Sequence, residues 1–146
     1  MTSEELKDRT KKFAVRTIKL VDALPRGLAG QVVGRQLLRS ATSVGANYRA
    51  ACRAQSRADF AAKLSIVVEE ADEALYWLEL VRETGLIKPE LLPGILKEAN
   101  ELVAIMLSSR KTAKTHDRSP NRKSTIENRQ LAVLPGTQHW APTTRH

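Results

Sequence analysis

Phe60-Ala61-Ala62-Lys63-Leu64-Ser65-Ile66-Val67-Val68-Glu69-Glu70-Ala71-Asp72-Glu73-Ala74-Leu75-Tyr76-Trp77-Leu78 is the stretch on which the architecture turns. Phe60, Leu64, Val67, Val68, Ala71, Leu75 and Leu78 recur at steps of three and four residues. At about 100° per residue they share an arc of about 100°, the buried face of a helix. Ser56 and Asp59 stand at capping-box spacing and open this helix at Arg57. Thr84-Gly85 stops it. A second apolar strip, Ile66, Tyr76, Trp77, Leu80 and Val81, lies on the far side, where a lone bundle has no use for it.

The flanking sequence repeats the pattern. Upstream, a helix from about Ser3 to Leu24 opens on a Thr2/Glu5 capping box and stops at Pro25 and Gly27. A second, from about Leu28 to Ala54, is rich in small residues, with Gly34 and Gly45 at the edge of its buried face. A glycine inside a helix costs about 0.5–1 kcal/mol relative to Ala, so close approach of a neighbouring helix is one reason to keep them. Downstream, Leu92, Ile95, Leu96, Ala99, Leu102, Val103 and Met106 predict a fourth helix, with its regular part starting at Pro93. From about Lys114 the apolar pattern fades. The expectation is an all-α, antiparallel up-down four-helix bundle over residues 1–114, followed by a basic, mostly disordered C-terminal tail over 115–146.

The chain has 146 residues and a net charge of +8, unevenly spread. Residues 1–57 hold twelve Lys/Arg against four acids; residues 58–109 hold four against ten. A basic half beside an acidic half suits a polyanion partner, or one copy's basic surface packed on another's acidic one. The single Cys52 forms no internal disulfide and points to a reducing, cytoplasmic setting. The N-terminus shows no signal-peptide pattern, and the uncharged run Ser40 to Tyr48 is too short to span a bilayer.

The sharpest charge feature is Arg35, Arg39, Arg49, Arg53 and Arg57, with no acid among them. Taken as one helix they fall within an arc of about 80°, opposite the apolar face. Lys11 and Lys12 of the first helix extend this basic surface. Polyanion binding, subunit pairing and plain solvation all remain readings of such a face.

Gln36-Leu37-Leu38-Arg39-Ser40-Ala41-Thr42-Ser43-Val44-Gly45-Ala46-Asn47-Tyr48, the stretch Asp59 to Leu80, and Glu83-Thr84-Gly85-Leu86-Ile87 together resemble the bacterial four-helix-bundle proteins found as reading frames inside 23S rRNA intervening sequences. The resemblance spans roughly residues 5–112. It implies a bundle assembling into a ring, a homopentamer, and distant kinship with the accessory protein of diversity-generating retroelements, which binds nucleic acid and a reverse transcriptase. Arg49 departs from the family pattern, where an acid usually stands, and strengthens the basic stripe.

Catalytic readings find little support. Glu69, Glu70, Asp72, Glu73 and Glu79 cluster on the third helix, but a di-iron bundle also needs a Glu-x-x-His pair, and His116, His139 and His146 all lie in the tail. Glu70 and Glu73 are also expected to face away from the core. Cys52 has no neighbouring His, and the glycines after the first helix lack the Lys-Ser/Thr ending of a phosphate loop. No catalytic residue, metal or cofactor is expected. The sequence points to a non-enzymatic ring-forming bundle that binds RNA or DNA backbones through Arg35, Arg39, Arg49, Arg53 and Arg57, helped by Lys11 and Lys12. The alternative is an oligomeric scaffold for a protein partner, such as a reverse transcriptase, with the arginines used for subunit pairing. Ile66, Glu70, Glu73, Tyr76, Trp77 and Leu80 are the expected oligomer interface.

Overall fold

The computed structural model describes residues 1–117. The expectations for the tail from residue 118 onward lie outside the described residues. Four α-helices form: α1 (Ser3–Asp22), α2 (Leu28–Cys52), α3 (Arg57–Thr84) and α4 (Pro93–Asp117). A single 3-10 turn, Pro89–Leu91, precedes α4. No strand forms among the described residues.

Local chemistry sets the helix ends. At α1, the Thr2 amide donates to Glu5 Oε2 (2.6 Å) and the Glu5 amide donates to Thr2 Oγ1 (3.1 Å), a closed capping box. Such a cap contributes about 1 kcal/mol. At α3 the Asp59 amide donates to Ser56 Oγ (3.0 Å), but the Asp59 carboxylate accepts from the Gln55 amide (3.3 Å). The expected reciprocal box is therefore displaced by one residue, because Asp59 is also drawn to Lys63 Nζ (2.7 Å). Gly85, with φ 65°, ends α3 in the left-handed region, where a Cβ would be strained. α1 and α2 each stop two residues before the expected end, at Asp22 and Cys52. α4 begins at Pro93 as expected and runs on to Asp117, about a turn past the point where the sequence pattern fades.

Cross-helix contacts fix the direction of each helix. A Cβ at Gly45 would lie 3.3 Å from Thr10 Oγ1, and one at Gly34 would lie 3.3 Å from Leu24 and Val21 side-chain carbons. Numbers rise along α2 as they fall along α1, so the pair is antiparallel. These are the close approaches for which the two glycines are kept. Across the other seam Arg9 reaches Glu98 and Glu101, and Gly94 lies against Arg16, so α1 and α4 are also antiparallel. Short connections join α2 to α3 and α3 to α4, giving an up-down four-helix bundle.

The core runs the length of the bundle. Leu6, Phe13, Leu37, Val44, Tyr48, Leu64, Leu78, Leu102 and Met106 are buried from all four helices. Cutting one such side chain to Ala costs about 2–5 kcal/mol. Thr10 and Thr17 are buried within it, with hydroxyls donating to the Lys7 (3.0 Å) and Phe13 (2.9 Å) carbonyls. The α1–α4 seam is closed by polar groups instead. Arg9 donates from Nε and Nη2 to the two carboxylate oxygens of Glu98 (2.6 and 2.9 Å) and also pairs with Glu101. The Glu98 hydrogen bond holds the Arg9 pKa above its ordinary value. No helix among the described residues is long and apolar enough to cross a membrane.

Candidate functional site

Arg35, Arg39, Arg49 and Arg53 are exposed on the side of α2 opposite its core face. Arg57 is not part of that face. The helix stops at Cys52, Arg53 caps it, and the chain turns before Arg57 opens α3, half-buried. The rotation of α2 does not carry through this turn, so Arg57 leaves the strip that the spacing predicts and opens α3, as its capping residues indicate. About 21 Å of helix separates Arg35 from Arg49.

The four remaining arginines divide among three environments. Arg49 and Arg53 line an open groove of about 510 Å³ between α1 and α2, with Lys7 and Lys11 on the opposite wall and Thr42, Gly45 and Ala46 between them. Arg35 lines a separate groove of about 380 Å³ at the other end of the same seam, beside Asp22 and Arg26. The charge of Arg39 favours the ionised form of Glu70 on α3. The sequence reading of one continuous strip therefore holds for exposure but not for position.

Acids also line the α1–α2 groove, and their partners decide its net character. Glu4 is paired with Lys7 (2.7 Å) and Asp8 with Lys12 (2.8 Å). Lys12 is thereby committed to Asp8, and the hydrogen bond raises its pKa. Lys11, Arg49 and Arg53 have no acid within 4.0 Å among the described residues. With Glu4 and Asp8 paired to Lys7 and Lys12, Lys11, Arg49 and Arg53 leave the groove with an excess of positive charge, which attracts anions. The backbone beneath is fixed by the Gly45–Thr10 contact, so both walls are held at constant spacing.

Sequence reasoning missed a second basic cluster. Arg110, Lys111 and Lys114 of α4 rim a groove of about 1040 Å³ whose floor is Ala58, Ala61, Ala62, Ser65 and Leu107. The signal was present: no acid occurs between Glu101 and Asp117. It was hidden because the last turn of α4 lacks the large apolar residues that mark a helix. With Arg49, Arg53 and Arg57, these residues make one end of the bundle strongly basic.

The outer side of α3 differs. Ile66 and Tyr76 are exposed, Tyr76 by 52%, while Trp77 and Leu80 are half-buried. The Tyr76 and Trp77 rings meet edge to face at 5.2 Å, and Trp77 Nε1 donates to Glu73 Oε1 (3.2 Å). Glu70 does not point fully outward as expected. It is half-buried, and its Oε2 is covered without a hydrogen-bond partner. Burial raises its pKa, Glu73 adds to the effect and Arg39 opposes it. Burial likewise pushes up the Cys52 thiol, which leaves little thiolate at neutral pH. Among the described residues, no three His, Cys, Asp or Glu side chains gather around a common point.

Two comparisons bear on this geometry. The family model described as "23S rRNA-intervening sequence protein" matches residues 4–108. A crystal structure from Bacteroides thetaiotaomicron, described as a protein with unknown function from the S23 ribosomal protein family, is 43% identical, with a TM-score of 0.67. The match covers 72% of this chain and 97% of that one. No curated protein of assigned function matches the chain.

Proposed function

The chain belongs to the 23S rRNA-intervening sequence protein family, and from that premise we propose that it is a non-catalytic module that binds the sugar-phosphate backbone of RNA or DNA. One observation carries the reading: Lys11, Arg49 and Arg53 face a single open groove, and among the described residues the acids that also line it, Glu4 and Asp8, are paired with Lys7 and Lys12 instead. Arg35 and Arg39 extend the contact along α2 and Arg57 continues it at the basic end, while Lys12 is held by Asp8 and contributes least. Phosphate contacts give affinity without reading sequence, which suits a surface that carries no base-reading motif. Titration of labelled RNA and DNA at several salt concentrations tests it. Binding should weaken linearly with log salt, and Lys11→Gln/Arg49→Gln/Arg53→Gln should flatten that slope. Equal affinity and slope in the variant would remove the groove from consideration.

A second reading is supported by the α3 strip. Ile66, Tyr76, Trp77 and Leu80 expose more apolar surface than a monomer needs, beside Glu70 and Glu73. In this reading copies of the chain associate through α3 into a ring, a homopentamer as the resemblance implies, that holds a protein partner such as a reverse transcriptase. The setting proposed for either reading is the cytoplasm. Light scattering of the purified protein, beside the same measurement on Tyr76→Ser/Leu80→Ser, tests the assembly: a monomer mass for the parent chain would overturn it.

A further inference from the structure

Resting on the backbone-binding reading, we infer that the groove between α1 and α2 takes a paired nucleic-acid duplex in preference to a single strand. Three observations lead there. The first is the absence of a stacking platform. Phe13, Tyr48 and Phe60 are buried, and the exposed or half-exposed aromatic rings among the described residues, Tyr76 and Trp77, lie on α3. Proteins that hold single strands gain about 1–3 kcal/mol per base from rings that stack on it. The groove is lined by the charged residues Lys7, Lys11, Arg49, Arg53, Glu4 and Asp8 and by small side chains, with no ring among them, and offers no such gain.

The second is that attraction here rests on charge alone, and charge favours the denser polymer. A duplex carries one phosphate per about 1.7 Å of axis, and each neutralised phosphate adds about 0.9 to the salt slope, against about 0.7 for a single strand. For three contacts at about 0.1 M salt, that difference amounts to about fourfold tighter binding of the duplex. The third is rigidity. Arg35 and Arg49 are held about 21 Å apart along α2, beside an α1 fixed by its contacts at Gly34 and Gly45. A duplex, stiff over about 150 base pairs, meets both ends of that face without being ordered first. A single strand must be stretched and immobilised to do so.

The test compares a duplex of about two helical turns with one of its strands alone, in RNA and DNA forms, across a salt series. It is run on the full chain and on Trp140→Ala, which removes the aromatic ring that lies outside the described residues. The expected result is duplex binding tighter by about fourfold or more near 0.1 M salt, with a steeper slope, in both proteins. Preference for duplex RNA, duplex DNA or both over the single strand supports the inference. Lys11→Gln/Arg49→Gln/Arg53→Gln should abolish the preference, and its survival in that variant would place the site elsewhere. Equal or tighter binding of the single strand by Trp140→Ala overturns the inference while leaving backbone binding intact. If no form binds either protein, both readings fail together.

Discussion

α2 and α3 lie side by side, are of similar length and bury comparable faces, yet they present opposite chemistry to solvent. α2 shows Arg35, Arg39, Arg49 and Arg53 with no acid and no exposed ring. α3 shows Glu69, Asp72, Glu73 and the Tyr76–Trp77 pair. Burial alone accounts for the inner face of each and says nothing about why the outer faces diverge. A solvated surface needs only mixed charge. Segregation by sign and by aromatic content is what supports the proposal of separate duties for the two helices, phosphate contact for α2 and protein contact for α3.

The largest effect should come from removing the α2 cations at the groove. Each phosphate contact is worth about eightfold at about 0.1 M salt, so Arg49→Ala/Arg53→Ala should weaken nucleic-acid binding by about 60-fold and lower the salt slope by about 1.8. Fluorescence anisotropy reads both quantities. An equal loss from Glu69→Ala/Asp72→Ala would erase the division between the helices. Next comes Tyr76→Ser/Leu80→Ser on α3. Loss of two apolar anchors at about 1 kcal/mol each should weaken self-association by about 30-fold, with nucleic-acid affinity per protomer unchanged. Sedimentation velocity across a concentration series measures it, and an unaltered mass distribution would deny α3 that duty.

A smaller effect belongs to the boundary between the two helices. The raised pKa of Glu70 means that its ionised form is disfavoured in the folded state. Stability therefore declines as pH rises from the ordinary carboxylate value through the raised one, and is unaffected well below both. Glu70→Gln should raise Tm at neutral pH by a degree or so, since the group is partly exposed, and by nothing below about pH 4. Thermal scans at the two pH values decide it; a destabilised Glu70→Gln would mean that Arg39 already neutralises the carboxylate fully.

The fold was legible because its signals are local. The Thr2/Glu5 box, Gly85 as a stop and Pro93 as a start each depend on a few neighbouring residues, and all three form as read. Helix periodicity also located the core, since burial at Leu37, Val44, Leu64 and Leu78 follows directly from spacing. The candidate site was legible only in part. Spacing predicts which side of a helix a cation occupies, and Arg35 to Arg53 are indeed exposed. It does not predict which neighbour's acid will claim a given cation. Lys12 went to Asp8 on its own helix, whereas Lys11, one residue earlier, points into the groove. Arg57 opens α3 as read but drops out of the arginine strip, because a four-residue turn resets the rotation. Arg9 escaped notice altogether, because its partners Glu98 and Glu101 are far away in sequence.

Gly45 gives the basic groove a property that its charges alone do not. It lies among the residues that line the groove, and at that point α1 and α2 are spaced by a missing methyl group. Gly45→Ala would set a carbon 3.3 Å from Thr10 Oγ1, so Thr10 must give way by a few tenths of an ångström. The resulting change in affinity should be under about threefold, because long cationic side chains absorb small shifts; calorimetric titration resolves it. The calibre of the cleft is thus written in a single hydrogen atom. A heavier residue there would retune how Lys11 and Arg49 straddle a ligand while leaving every charge in place.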